Sequence, residues 1–254
     1  MADEARGIDI SSYQEPPYQA KPIDWDLVKT ANLDFVFVKV SEGNGYKANY
    51  QNIWEGAKRA GLLRSGYHYL HGEVNGHLQA DYFMSHAQRG ELPPAIDFED
   101  ANTLRTTAIT GAAMMENLRV CLAEIENMWA IRPIIYTGFW FLWECFQESP
   151  TYDARWMAKY PLWIANYTYD PKIAPAKPSW WDWDFYQFSN QGSIPGIGGR
   201  VDLDIFKGTR ASLLAYAGVS PTTVPTMPTE FVAQHAMMWS DYLERKGITG
   251  KDGV

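Results

Sequence analysis

Two acids placed two residues apart carry the strongest chemical signal in this chain. In Pro94-Ala95-Ile96-Asp97-Phe98-Glu99-Asp100 an apolar run leads directly into Asp97 and Glu99. Side chains at i and i+2 of a strand leave by the same face, so the spacing predicts that both carboxyl groups meet in one place. Acids crowded at the end of a buried strand destabilise the fold unless ligands, partners or chemistry use them. A solvated strand end is the plainer alternative, and the apolar run before the pair speaks against it.

Further acids sit in strand-like surroundings. Asp9 lies between two isoleucines in Gly7-Ile8-Asp9-Ile10-Ser11, so it either points into a site or caps the next turn. Asp202 and Asp204 alternate with apolar residues in Val201-Asp202-Leu203-Asp204-Ile205-Phe206, which a half-exposed edge strand would explain equally well. If these acids share one mouth, like charge and partial burial raise the pKa of the least solvated member. One protonated acid beside ionised ones is what general-acid cleavage of a glycosidic bond requires. A divalent metal held by the same oxygens is the rival use. No clear His contribution accompanies the acids, which disfavours a transition metal, and no cofactor is expected.

Other chemistry-bearing residues read more plainly. His68 and His71 in Ser65-Gly66-Tyr67-His68-Tyr69-Leu70-His71 fall on opposite faces of a strand and cannot form a joint metal pair there. His68 reads as a hydrogen-bonded core or supporting residue. The aromatic run Trp180-Trp181-Asp182-Trp183-Asp184-Phe185-Tyr186-Gln187-Phe188 suits packing first and a sugar groove second. The chain has no phosphate loop, no HExxH zinc helix and no Ser-centred nucleophile elbow.

The elements that must position these acids recur at regular spacing. Strand-like runs occupy Gly7–Ile10, Phe35–Val40, Ser65–His71, Pro94–Glu99, Pro133–Thr137, Leu162–Asn166, Phe185–Ser189 and Val201–Phe206. Tyr46–Ala60, Gly76–Arg89 and Ala108–Ile131 read as crossover helices, which argues for parallel strands joined by βαβ units. Only 11 Gly-rich residues separate Ser189 from Val201, and a link that short suits an antiparallel return. Eight strands with helices missing near the end describe an α/β fold, an irregular TIM-like barrel. Active sites of such barrels lie at the C-terminal ends of the strands, where Asp97 and Glu99 fall.

The domain plan is a barrel over residues 1–218, a Pro/Thr linker at 219–229 and a helical tail at 230–254. Within the tail Phe231–Lys246 reads as one amphipathic helix, expected to dock on the barrel; a tail-mediated dimer is the alternative to a monomer.

Bulk properties narrow the partners. The 254 residues carry a net charge of -8, which argues against nucleic acid and against anionic membranes as partners. Aromatic residues reach 15%, with 11 Trp and 15 Tyr, so a polymer would be held by shape and stacking. Cys121 and Cys145 make no disulfide framework and read as a reduced, buried pair. The N-terminus shows no apolar run, and no stretch approaches the ~20 apolar residues of a membrane span. The expectation is a soluble chain made in the cytoplasm without a signal peptide.

Taken in order, these segments resemble the lysozymes (N-acetylmuramidases) of glycoside hydrolase family 25. The resemblance rests on Gly7-Ile8-Asp9-Ile10-Ser11, Phe37-Val38-Lys39-Val40-Ser41-Glu42-Gly43, Gly66-Tyr67-His68-Tyr69, Asp97-Phe98-Glu99, Trp163-Ile164-Ala165-Asn166-Tyr167, Tyr186-Gln187-Phe188-Ser189 and Val201-Asp202-Leu203-Asp204. They follow the family order over roughly residues 6–207. The resemblance implies five β/α units followed by three strands, and hydrolysis of the β-1,4 bond between N-acetylmuramic acid and N-acetylglucosamine in bacterial cell-wall peptidoglycan. By motif Glu99 matches the general acid, Asp97 its orienting or charge-stabilising neighbour, and Asp9 and Asp202 two further acids at the rim. Tyr67, Tyr136, Trp163, Tyr167, Gln187 and Asp204 are the candidate sugar-binding side chains. Asp204 departs from the family, which more often has Asn there. A missing signal peptide fits a phage lysin released by a holin, and fits a virion component as well. Two competing classes stay open at this stage: a non-catalytic wall-binding protein and a metal-dependent hydrolase.

Overall fold

In Phe35–Glu42 the phenylalanines point one way and the valines the other, and this division organises the molecule. The computed structural model describes residues 4–219. Its strands are β1 (Glu4–Ile10), β2 (Phe35–Glu42), β3 (Tyr46–Lys47), β4 (Leu63–Tyr69), β5 (Ala95–Asp97), β6 (Ile134–Gly138), β7 (Leu162–Ala165), β8 (Phe185–Gly192) and β9 (Val201–Thr209). The helices are α1 (Trp25–Val28), α2 (Gln51–Ala60), α3 (Gly76–His86), α4 (Ala101–Thr106), α5 (Gly111–Trp129), α6 (Phe139–Glu148) and α7 (Arg210–Tyr216).

The sheet runs β1-β9-β8-β7-β6-β5-β4-β2 and closes on itself through a parallel β1–β2 pair, with β3 added as a short hairpin partner of β2. This is the irregular barrel expected from the spacing: five β/α units, then β7, β8 and β9. The Gly-rich link does make an antiparallel return, for β9 runs against both β8 and β1.

Two apolar clusters follow from the pleat. Phe35, Phe37, Leu63, Ala95, Ile134, Trp163, Phe185 and Phe206 fill the lumen. Val36, Val38, Val40, Ile96, Ile135 and Ile164 face outward against Trp54, Phe83, Leu118, Leu122 and their helical neighbours. Strands buried on both faces read as near-continuous apolar runs, which is why β2 shows so little polar alternation. Each buried Phe contributes roughly 1.5–3 kcal/mol relative to exposure. Inside the lumen Phe37 stacks on Trp163, with centroids 3.9 Å apart and planes at 15°. A Cβ at Gly7 would stand 2.2 Å from the Phe35 ring, so only glycine lets β1 close against β2 here. Leu213 and Leu214 of α7 cover the end of the lumen opposite the acids. Cys121 and Cys145 are free thiols in the outer core.

The structure corrects several boundaries. Tyr46–Lys47 pairs with β2 instead of opening a helix; Gly43, at φ +54, turns the chain back, and α2 begins only at Gln51. The long helix is α5, started by the Thr110 side chain accepting the Ala113 N–H and stopped by Ala130 at φ 54. The short helix α4 and the helix α6 were not anticipated. The strand expected at Pro94–Glu99 ends at Asp97, so Glu99 lies just past it, although the Phe98 N–H still bonds the Tyr136 carbonyl. Residues 220–229 of the linker, the 230–254 tail and its Phe231–Lys246 helix lie outside the described residues.

Candidate active site

Asp97 closes β5 at the C-terminal end of the parallel strands, and the register places its neighbours in a row. Tyr69 of β4 pairs with Asp97, Asp97 with Tyr136 of β6, and Tyr136 with Trp163 of β7. All four face the lumen side of their strands. Past β5, Phe98 turns outward, fully buried against Phe141, and Glu99 returns to the mouth. The next residue, Asp100, caps α4 by accepting the Thr103 N–H and also takes the Gly72 N–H. That capped turn fixes where Glu99 stands.

The remaining acids arrive from the barrel seam. Asp9 faces inward while Ile8 and Ile10 pack outward, which answers the question raised by its apolar flanks. On β9, Asp202 is the direct partner of Asp9, and Asp204 is the direct partner of Gly7. The lumen thus collects Asp9, Asp97, Glu99, Asp202 and Asp204 from three separate parts of the chain.

Gln187 organises the floor. Its Oε1 accepts the Tyr136 hydroxyl at 2.9 Å and the Tyr167 hydroxyl at 3.1 Å. Its Nε2 donates to Asp9 Oδ2 at 2.7 Å, so the amide has one allowed orientation. Trp163 Nε1 donates to Asp204 Oδ1 at 2.8 Å. Of the six side chains expected to bind sugar, Tyr167 alone is substantially exposed. Tyr67 and Tyr136 keep thin margins of surface, whereas Trp163, Gln187 and Asp204 are sealed beneath the acids. Their direct contacts are with the site's own groups, because the barrel lumen is too narrow to leave inward side chains open to solvent.

Electrostatics separates the acids. Burial, followed by the Asp202 charge, pushes Glu99 up to about 7, while hydrogen bonding with Tyr136 and the Lys39 charge pull the other way. Burial raises Asp202 to about 6. Asp9, Asp97 and Asp204 all lie well above the usual carboxylate range, with burial the first cause and neighbouring acids the second in Asp9 and Asp97. For Asp204 the Trp163 N–H opposes the rise. A site with several buried acids near neutrality binds at least one proton, and Glu99 is well placed to give one up.

Sequence reasoning missed the mouth's cation. Lys39 lies two residues past Phe37 on the lumen face, with its Nζ 2.7 Å from Glu42 Oε2 and over the Tyr69 ring at 5.0 Å. Glu42 Oε1 in turn lies 2.9 Å from His71 Nε2. A lysine inside Phe-Val-Phe-Val-Lys-Val was the available signal, since a charge in a strand that apolar seldom points into the core without a partner. His68 is buried on the opposite face, between Ser41 Oγ at 2.8 Å and Gln79 Oε1 at 3.3 Å, and burial lowers it to about 4. Apart from Gln187, the aromatic run does not line this mouth. Trp181, Phe185, Tyr186 and Phe188 are buried, and Trp180 lies at the far end of the barrel with Arg132 and Pro161. Among the described residues no cluster of three or more His, Cys, Asp or Glu is arranged to hold a metal ion, and no helix is long and apolar enough to cross a membrane.

A closed β/α barrel with converging acids at its C-terminal mouth, one of them near neutrality, defines a carbohydrate-cleaving hydrolase. Comparison with known proteins places it further. The profile of glycosyl hydrolases family 25 matches residues 8–197. Lysozyme M1 of Streptomyces globisporus is 31% identical over 232 residues, covering 84% of this chain and 71% of the relative. The solved lysozyme of Streptomyces coelicolor superposes with a TM-score of 0.72 at 28% identity, covering 85% of this chain and 97% of its own. A muramidase from Trichobolus zukalii gives 0.68 at 27% identity, covering 84% and 98%. The chain belongs to glycosyl hydrolases family 25, and it is a glycoside hydrolase.

Proposed function

We propose that this enzyme is an N-acetylmuramidase that cuts the β-1,4 bond between N-acetylmuramic acid and N-acetylglucosamine in peptidoglycan. The observation that carries the reading is Glu99, a carboxyl group held near neutrality by burial and by Asp202 at the barrel mouth. Relatives that bear the names lysozyme and muramidase support the choice of substrate.

In this mechanism Glu99 protonates the glycosidic oxygen as the bond to the leaving sugar breaks. Positive charge grows on the ring, and the ionised Asp202 beside it lowers that barrier. Asp97 accepts the acetamido N–H of the bound sugar and aims the acetamido oxygen at the anomeric carbon. That oxygen attacks from the opposite face, and water then opens the cyclic intermediate with Glu99 acting as base, giving retention. Tyr167 offers its exposed ring to the sugar, while Gln187 and Trp163 hold the acids and tyrosines in register. The barrel over residues 1–218 is the catalytic unit.

Digestion of purified peptidoglycan, with mass spectrometry of the new reducing ends, tests the reading. A muramic acid end supports it. An N-acetylglucosamine end redirects it to a glucosaminidase, and sedimentation with walls without any new ends makes the protein a binder.

A further inference from the structure

Asp204 has a place in the site that sugar binding does not explain. Its side chain is fully buried, so substrate does not reach it. Oδ1 takes the Trp163 indole N–H at 2.8 Å, but Oδ2 is sealed from solvent and meets no N–H or O–H donor. The carboxyl of Asp9 lies within hydrogen-bonding reach of Asp204, as it does of Asp202. The register explains the approach: Asp204 stands opposite Gly7, two residues before Asp9 on the same face of β1, and opposite Gln187 on β8, whose amide holds Asp9.

Two ionised carboxylates in that contact, shielded from water, repel strongly. A hydrogen bond between them needs a proton on one of the two. Asp204 already accepts the Trp163 N–H at Oδ1, which favours its charged form, and leaves Oδ2 open to accept from Asp9. The charges of Asp202 and Asp204 in turn favour a proton on Asp9. We propose that Asp9 and Asp204 share a single proton held chiefly by Asp9, making Asp204 a positioning residue that accepts from Asp9, orients it and leaves the pair with one negative charge instead of two.

The charged groups that face this pair are few. Asp202 adjoins it on β9, and Asp97 acts on Asp9 from β5. Gln187 and Trp163, which approach from β8 and β7, are uncharged. Glu99 feels the charge of Asp202, with Lys39 opposing, and Asp202 in turn hydrogen-bonds Asp9. Sharing the proton therefore keeps the field on Glu99 moderate, and its upper pH limit close to neutrality.

The test is Asp204→Asn, which keeps an oxygen for Trp163 and supplies an N–H for Asp9 without a proton that titrates. In a Glu99→Gln background at neutral pH, infrared difference spectra should show that Asp204→Asn deletes one protonated-carboxyl carbonyl band. An unchanged band would mean that the pair is doubly ionised and would overturn the proposal. In the otherwise wild-type enzyme, the alkaline midpoint of the pH–rate profile should stay in place in Asp204→Asn. A doubly ionised pair would instead lose a charge, and the midpoint would fall, which also overturns the proposal. The kinetic arm rests on Glu99 being the acid; the infrared arm does not, so failure of either reading is distinguishable. Circular dichroism of each variant establishes that the comparison is between folded proteins.

Discussion

Asp9 and Asp202 are direct cross-strand partners on the antiparallel β1–β9 pair, although they come from opposite ends of the barrel sequence. The seam that closes the barrel is thus also the seam that brings acids together. Ordinarily, like charges directly opposite each other destabilise a sheet. Here the neighbouring Gln187 amide and the shifted protonation of the cluster offset that repulsion.

Replacing Glu99 by Gln should lower turnover roughly 10²–10⁴-fold while leaving the fold intact. Stability should move the other way. Glu99 titrates at about 7 in the fold against an ordinary value of 4.5, so the folded state holds this proton more tightly. The wild type therefore loses stability from this group as pH rises from about 4.5 through about 7. Urea unfolding should find the variant and wild type alike near the lower limit, with the variant gaining on the wild type above it. Full activity in Glu99→Gln would remove the residue from its assigned role.

The pH–rate profile should be a narrow bell. Catalysis needs Glu99 protonated, at about 7, and Asp202 ionised, at about 6, so activity peaks between the two. Because the acids interact, the fitted midpoints describe the cluster and not single residues. A rate that keeps rising well above neutral pH would contradict the acid role of Glu99.

Lys39→Met should shift the alkaline limb upward. The Lys39 charge lowers both Asp97 and Glu99, and removing it lets each keep its proton to higher pH. The profile of kcat against pH reads this directly. A downward shift would contradict the electrostatic role of Lys39, since freeing Glu42 from its partner also raises Asp97.

Trp163→Phe should destabilise the protein by about 2–4 kcal/mol in denaturant unfolding. The change leaves a cavity beside Phe37 and strips Asp204 of the N–H at Oδ1. A loss below about 0.5 kcal/mol would show that the indole hydrogen bond is not needed to hold Asp204.

Much of this design was legible along the chain. Each barrel strand carries enough apolar residues to mark itself, and Asp97, Glu99, Asp9 and Asp202 stood out because charge in such runs needs a reason. The Gly-rich link before Val201 announced the antiparallel turn. Helices α4 and α6 were harder to see, since the Asp100 cap follows directly on the acid pair, and Phe139–Glu148 lacks a clear polar face. Lys39 passed unnoticed because its place over the Tyr69 ring, and the link from its partner Glu42 to His71, exist only once β2 and β4 lie side by side.

By itself, then, the sequence determined the barrel, the strand order of its acids and the family they resemble, because pleat and spacing are local properties. Tertiary structure alone decided which acids touch, which are sealed and which keep a proton. Asp204 looked like a sugar ligand until closure of β9 on β1 buried it beside Asp9. Burial and the separation of charges set a pKa, and both exist only after residues distant in the chain have been brought to one mouth.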